Sequence, residues 1–287
     1  LVLLRTLAYL YGRKYYSLSN AIKRTIRIPL SDMESLTYDL DKACGGNLSI
    51  LLNPDHACHA DILNTNCLTA KTTVWKDRQY LILRYDKTRL GKDKIGSSGL
   101  FRSVIACEGK IVSYSPPKSI SSDNYMKEDE IWDDTLLEEF IEGTMVNVFN
   151  VDGEWEIATR SMMGANGRFF NDEGTQTFRS MFYEAMRACG PSKDLDETDG
   201  GLFALLDPAY TYSFVFQHPS NQIVTKVTSP ELYLIRMYSI EGPIVTEYLP
   251  ESEEAIRIFR GEKDGAKQCL VDFPIRFNKT TFEELKE

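Results

Sequence analysis

Residues 137–160 contain the feature that most limits how this chain folds. Two runs of alternating apolar and polar residues, Leu137-Glu-Glu-Phe-Ile-Glu-Gly-Thr-Met-Val-Asn-Val-Phe149 and Glu154-Trp-Glu-Ile-Ala-Thr-Arg160, flank Asn150-Val-Asp-Gly153. Period-two alternation puts one face of each run against a core, and an Asp-Gly step supplies the positive φ angles of a tight hairpin turn. The pattern recurs. Phe101–Cys107 and Lys110–Ser115 meet at Glu108-Gly109, and Leu232–Tyr238 precedes Ile244–Tyr248. Tyr210–Phe216 and Gln222–Val227 flank His218-Pro-Ser-Asn221, and Trp75–Tyr85 reads as one further strand. Hairpins with helices between them predict an α+β fold built on antiparallel sheets rather than alternating β-α-β units.

Helical signals are fewer. Leu1 to about Lys23 carries apolar residues at helical spacing, and Ser31-Asp-Met-Glu34 has the form of a capping box opening a helix that Cys44-Gly-Gly-Asn47 would end. Thr175–Gly190 is amphipathic, with Phe178, Met181, Phe182, Ala185 and Met186 as a core stripe and Gly190-Pro191 as its stop. Short helices are expected at Ser252–Phe259 and from Thr280. The organisation expected is a mixed, partly helical region over residues 1–74 and an antiparallel domain over residues 75–287.

Composition narrows the function. At 287 residues and 43% hydrophobic content the chain supports a full core. A formal net charge of -9 argues against a uniformly basic nucleic-acid surface and leaves room for a local basic groove. No apolar run approaches the roughly 20 residues of a membrane span. The six cysteines are scattered without a Cys-x-x-Cys pair, which favours reduced thiols and an intracellular setting. Asp55-His-Ala-Cys-His-Ala-Asp61 lacks a second ligand pair at zinc-site spacing and reads as a helix with polar residues, so no metal site is assigned. There is no Gly-x-x-x-x-Gly-Lys loop, no Gly-x-Gly-x-x-Gly turn after a strand and no Gly-x-Ser-x-Gly elbow.

The central hairpin opens with Glu142-Gly143-Thr144 and closes with Thr159-Arg160, an acidic-Gly-Thr start and a basic finish that suit a nucleotide phosphate site. Pro116-Pro117 holds the chain extended and stiff, giving Lys118 a fixed approach. Arg89, Lys92 and Lys94 lie in a polar loop that reads as solvated.

These pieces, in this order, resemble the phage-type RNA ligases of the RNA ligase 1 family, within the covalent nucleotidyltransferase superfamily. The resemblance runs from Phe101 to Glu287. Its elements are an arginine-bearing strand (Phe101-Arg102-Ser103), a Gly-Lys strand (Gly109-Lys-Ile-Val-Ser113) and a Pro-Lys element (Pro116-Pro-Lys118). The nucleotidyl hairpin follows (Phe140-Ile-Glu-Gly-Thr144 with Ala158-Thr-Arg160), then an aromatic strand and turn (Phe214-Val-Phe-Gln-His-Pro-Ser-Asn-Gln-Ile-Val224). The wording also resembles divergent homologues encoded by large DNA viruses.

The resemblance implies an adenylation domain of the ATP-grasp-like ligase type. A lysine attacks the α-phosphorus of ATP, AMP passes from lysine to an RNA 5′-phosphate, and a 3′-hydroxyl displaces it. ATP and Mg2+ are the implied cofactors and RNA ends the implied partners. The implied catalytic residues are Lys118 and Glu142; Arg102, Lys118, Glu142, Thr144 and Arg160 would hold the nucleotide. The departures are as informative. Phe140 stands where the family has its nucleophilic lysine, and Val215 where it has a ribose-contacting glutamate. Lys118 is therefore the candidate nucleophile. The family's remaining motifs are expected after the segment Phe273-Pro-Ile-Arg-Phe-Asn-Lys-Thr-Thr-Phe-Glu-Glu-Leu285, beyond Glu287. Glu241-Gly-Pro-Ile-Val245 and Lys263-Asp-Gly265 imitate family motifs at the wrong positions. The competing expectation is an inactive ligase-fold component of a larger assembly, with protein partners. Either form would be intracellular, in the host cytoplasm or a virion if viral, and away from membranes.

Overall fold

The computed structural model describes residues 35–119, 138–168, 176–189, 206–222, 226–250, 252–259, 262–263, 266–267 and 271–276, with Phe203 and Val224. The chain divides into two compact units, residues 35–118 with 141–273, and residues 1–34, 119–140 and 274–287. In the second, the Glu139 N–H donates to the Ile275 carbonyl at 2.8 Å and Arg276 Nε lies 3.4 Å from Glu138 Oε1. Phe140 belongs to this unit and is exposed.

The first unit is α+β, and its sheets pair antiparallel. One sheet has seven strands in the order β1 (Ser35–Asp39), β11 (Ile244–Tyr248), β10 (Glu231–Glu241), β9 (Thr211–Gln217), β6 (Thr144–Val151), β7 (Glu154–Thr159) and β8 (Met162–Met163). The other orders β2 (Leu68–Trp75), β3 (Arg78–Tyr85), β4 (Val104–Cys107) and β5 (Lys110–Ser113). A small hairpin, β12 (Glu262–Lys263) and β13 (Ala266–Lys267), stands apart from both.

Alternation decides which face each strand buries. In β6, Val146 and Val148 point towards α4 (Phe178–Cys189) and α5 (Glu253–Phe259), joining Phe182, Phe214, Phe216 and Phe259 in one core. Phe149 and Val151 point the other way, onto Tyr80, Ile82 and Ile105 of the smaller sheet. The far side of the smaller sheet, Leu81, Leu83, Val104 and Ala106, is covered by α1 (Leu40–Ala43) and α2 (Leu48–Leu51) through Leu40, Leu48 and Leu51. Burial on both faces explains the unbroken apolar run Tyr80-Leu-Ile-Leu83. Each such side chain contributes about 1.5–3 kcal/mol.

Trp75 fastens the smaller sheet to the larger one. Its Nε1 donates to Glu156 Oε2 at 2.8 Å, and Lys76 Nζ approaches Glu156 Oε1 at 2.8 Å. Its ring lies against Gly164, where a Cβ would overlap the indole and φ is +72°. Only glycine fits there.

Several expectations are corrected. Trp75–Tyr85 is not one strand: Lys76 and Asp77 turn with φ of +47° and +63°, and Leu68–Trp75 pairs with Arg78–Tyr85. Gln222–Val227 forms no strand among its described residues. Both edges of β9 are already taken, by β6 and by β10, so no edge is left for a local hairpin. Of the helix expected from Ser31 to Cys44, Ser35–Asp39 is instead a strand paired with β11, and only the short α1 before Cys44 is helical, capped by Asp39, whose Oδ1 accepts from Lys42 N at 2.9 Å. Residues 31–34, the helix expected over Leu1–Lys23 and the one from Thr280 lie outside the described residues. The first arm of the central hairpin begins at Thr144 rather than Leu137. Its turn, Asp152-Gly153 with φ of +50° and +87°, is where the sequence puts it. In the His-Cys-His segment, α3 (His59–Thr65) begins at His59, whose Nε2 lies 3.2 Å from the Leu51 carbonyl, and His56 Nδ1 accepts from Cys58 N. No helix among the described residues is long and apolar enough to cross a membrane.

Candidate functional site

The side chains singled out in the sequence fall into two groups, one on each face of the seven-stranded sheet. The first is basic and lies on the face turned towards the smaller sheet. Extending the register of β6 and β7, in which Asn147 pairs with Ala158, puts Arg160 opposite Met145, and Met145 pairs with Val215. Arg160, Met145 and Val215 therefore form one cross-strand row on the face that carries Phe149 and Ala158. Val215, where the resemblance expects a glutamate, is buried in that row.

Arg160 Nε donates to the Arg102 carbonyl at 3.3 Å, and its guanidinium lies over the Tyr85 ring, 4.8 Å from the centroid. Burial pulls the Arg160 pKa below its usual value. Tyr85 opposes that shift, while the charges of Arg102 and Arg84 add to it. Among the described residues, Arg84, Arg102 and Arg160 make no ion pair. Three arginines whose charges reach one another, with no ion pair among the described residues, are a candidate site for an anion.

Lys118 belongs to the same end of the smaller sheet. Its N–H donates to the Gly99 carbonyl at 2.9 Å, which places it beside the loop leading into Arg102, and the prolines before it are buried. A Cβ on Gly99 would lie 3.3 Å from Lys118 Cβ, so the Pro-Pro-Lys arm runs close against this backbone. Arg84 and Tyr85 are absent from the sequence reading because β3 reads there as scaffold. The one local signal is an arginine in an otherwise apolar strand, Tyr80-Leu-Ile-Leu-Arg-Tyr85.

The second group is Glu142, Thr144 and the turn after β9. Glu142 Oε1 accepts from Val224 N at 2.5 Å, and the Glu142 carbonyl accepts from Gln217 Nε2 at 2.8 Å. Asn221 Nδ2 donates to Thr144 Oγ1 at 2.7 Å. Thr144 pairs with Phe216, which lies in the α4 core, so its hydroxyl stands on the opposite face from Arg160. His218 anchors the turn: Nδ1 accepts from Ser220 N at 3.0 Å, leaving Nε2 to donate to Glu184 on α4 at 2.8 Å. Gly143 threads between, with φ +150° and no room for a Cβ beside the Phe216 carbonyl and Val215. Hydrogen bonds spanning 75 to 82 residues thus join two sequence motifs into one cluster in space. Among the described residues no three His, Cys, Asp or Glu side chains gather into a metal cage.

With this geometry in hand, comparison with known proteins gives one informative relative. The chain is 28% identical to an RNA ligase of Rhodothermus phage RM378 over 128 residues, which is 43% of this chain and 27% of that protein. No family model matches the sequence. The chain is thus a distant, partial relative of a phage RNA ligase.

Proposed function

We propose that this protein is an RNA ligase-like nucleotidyltransferase that uses ATP to join an RNA 5′-phosphate to a 3′-hydroxyl. The observation that carries the reading is the set of Arg84, Arg102 and Arg160, without an ion pair among the described residues, at the end of the smaller sheet where the Pro116-Pro117-Lys118 arm runs beside the loop leading into Arg102. In this reading the Lys118 amine, once neutral, attacks the α-phosphorus of ATP. A P–N bond forms and pyrophosphate leaves. AMP then passes to the RNA 5′-phosphate, and a 3′-hydroxyl displaces it to close the phosphodiester. Arg102 and Arg160 hold phosphate oxygens as charge moves onto them. Glu142 and Thr144 act through the turn after β9, fixing the entrance to β6. Magnesium would arrive with the ATP phosphates.

A second reading has a specific observation in its favour. Phe140 and Val215 are apolar where the resemblance expects a lysine and a glutamate, which suits a ligase-fold protein that binds phosphate without forming a covalent intermediate. Incubation with α-labelled ATP and Mg2+, followed by a denaturing gel, separates the two. The ligase reading expects a covalent label that Lys118→Ala abolishes. Absence of label on the wild-type protein sinks it, and label persisting in Lys118→Ala sinks the choice of nucleophile. A parallel lane with labelled GTP reads base preference.

A further inference from the structure

The face of the smaller sheet that looks towards the larger one carries a second feature, one row beyond its apolar core. Leu83 pairs with Val104 and Ile105 with Ser113. Continuing these registers past the strand ends, by one residue from Leu83 and Val104 and by two from Ile105 and Ser113, sets Arg84 beside Ser103 and Ser103 beside Ser115. Alternation puts all three on the face of Tyr80, Ile82 and Ile105.

The preceding row is satisfied: Ile82 and Ile105 are packed, and Ser113 Oγ lies 3.3 Å from Thr211 Oγ1. The Arg84 row is not. Ser103 and Ser115 are only 1% and 2% exposed, and their Oγ atoms, like Arg84 Nε, are buried with no hydrogen-bond partner among the described residues. Leaving one such group unpaired costs about 1–3 kcal/mol, so three gathered at the ends of adjacent strands are a feature to be explained. All three donate hydrogen bonds, Nε only that way. The neighbouring charges are the guanidiniums of Arg102 and Arg160. The group that fits carries negative charge and several acceptor oxygens, as a phosphate monoester does.

We propose that Arg84, Ser103 and Ser115 form a phosphate-binding row that extends the Arg102–Arg160 pair, a role that rests on the phosphate chemistry assigned to this face above. The phosphate has two possible sources, the chain of a nucleoside triphosphate or the 5′ end of an RNA. Arg84 is half-buried and brings the guanidinium to the row. The serine hydroxyls behind it complete the donor set.

The experiment is calorimetric titration of the full chain with ATP, with a 5′-phosphorylated oligoribonucleotide and with its 5′-hydroxyl counterpart. Arg84→Gln is expected to weaken binding at least tenfold for ATP, for the phosphorylated oligonucleotide or for both, and which of them falls assigns the source. Arg84→Lys, which keeps charge but loses the planar fork, is expected to fall in between. Ser103→Ala is expected to weaken the same probe several-fold while its melting temperature holds or rises, because the deletion removes an unpaired buried hydroxyl. Wild-type affinity in Arg84→Gln or in Ser103→Ala overturns the row, and so does a wild-type protein that neither binds ATP nor prefers the phosphorylated end. Covalent labelling is read separately: binding without label sinks the ligase reading and leaves the row standing.

Discussion

Arg236 and Arg160 belong to one sheet system, and the fold treats their charges in opposite ways. Arg236 is 3% exposed, and its Nε donates to Oε1 of the fully buried Glu247 at 2.8 Å. Glu247 Oε2 accepts from Tyr38 at 2.8 Å, so the pair ties β1, β10 and β11 together. Arg160 has an aromatic ring, a backbone carbonyl and two further arginines for neighbours. A buried charge survives when it is paired and hydrogen-bonded. Arg236 meets that condition within the fold, so its work is structural. Arg160 is half-buried and makes no ion pair among the described residues, which is why it is the one proposed for phosphate.

The largest effect tests the structural arginine. Glu247→Ala strands the Arg236 guanidinium in the core and is expected to lower the unfolding free energy by about 3–5 kcal/mol in urea titration. Exchanging Arg236 and Glu247 together for apolar residues of similar volume is expected to cost far less, since both desolvation penalties vanish. A loss below about 1 kcal/mol in Glu247→Ala would mean that Arg236 reaches water, and the contrast with Arg160 would collapse.

Arg160→Gln is the reciprocal case. It forfeits a cation–π contact worth about 0.5–1 kcal/mol but relieves the mutual repulsion of three guanidiniums, so unfolding free energy is expected to move by about 1 kcal/mol or less. ATP binding is expected to weaken at least tenfold, or about 1.4 kcal/mol. A stability loss on the scale of Glu247→Ala, with affinity intact, would make Arg160 a second structural arginine.

How much of this was legible in the sequence follows from where the deciding physics lies. Hairpins with a glycine turn were readable, because alternation and a positive-φ residue are both local: Asp152-Gly153, Glu108-Gly109 and the Gly242 turn all appear where expected. The β2–β3 hairpin was hidden because its turn uses Lys76 and Asp77, which carry no glycine signal. Gln222–Val227 has strand-forming residues, but whether β9 has a free edge depends on β6 and β10, both far away in sequence. Of the basic residues, Arg102 and Arg160 were read through their motifs, and the structure places them in contact. Arg84 was not, since only the β3–β4 register, continued past Leu83 and Val104, brings it beside Ser103.

A third arginine sharpens the comparison at its small end. Arg89 is partly exposed, and its Nε donates to Asp86 Oδ2 at 2.8 Å. Asp86 Oδ1 also accepts from the Thr88 hydroxyl at 2.7 Å and the Thr88 N–H at 2.9 Å. The two Thr88 bonds, and then Arg89, hold the Asp86 carboxyl down at about 2. A carboxyl whose folded pKa lies below its unfolded value stabilises the fold above the unfolded pKa, near 4, and loses that contribution as pH falls through the folded one. Asp86→Asn is therefore expected to be less stable than wild type at pH 7. Thermal melts at intervals from pH 6 to 2 are expected to show that gap narrowing between about 4 and 2. A gap that stays constant over that range would mean the Asp86–Arg89 loop does not depend on the carboxylate charge. Only the burial of Arg236, and not pairing as such, would then distinguish a structural arginine from the one proposed to hold phosphate.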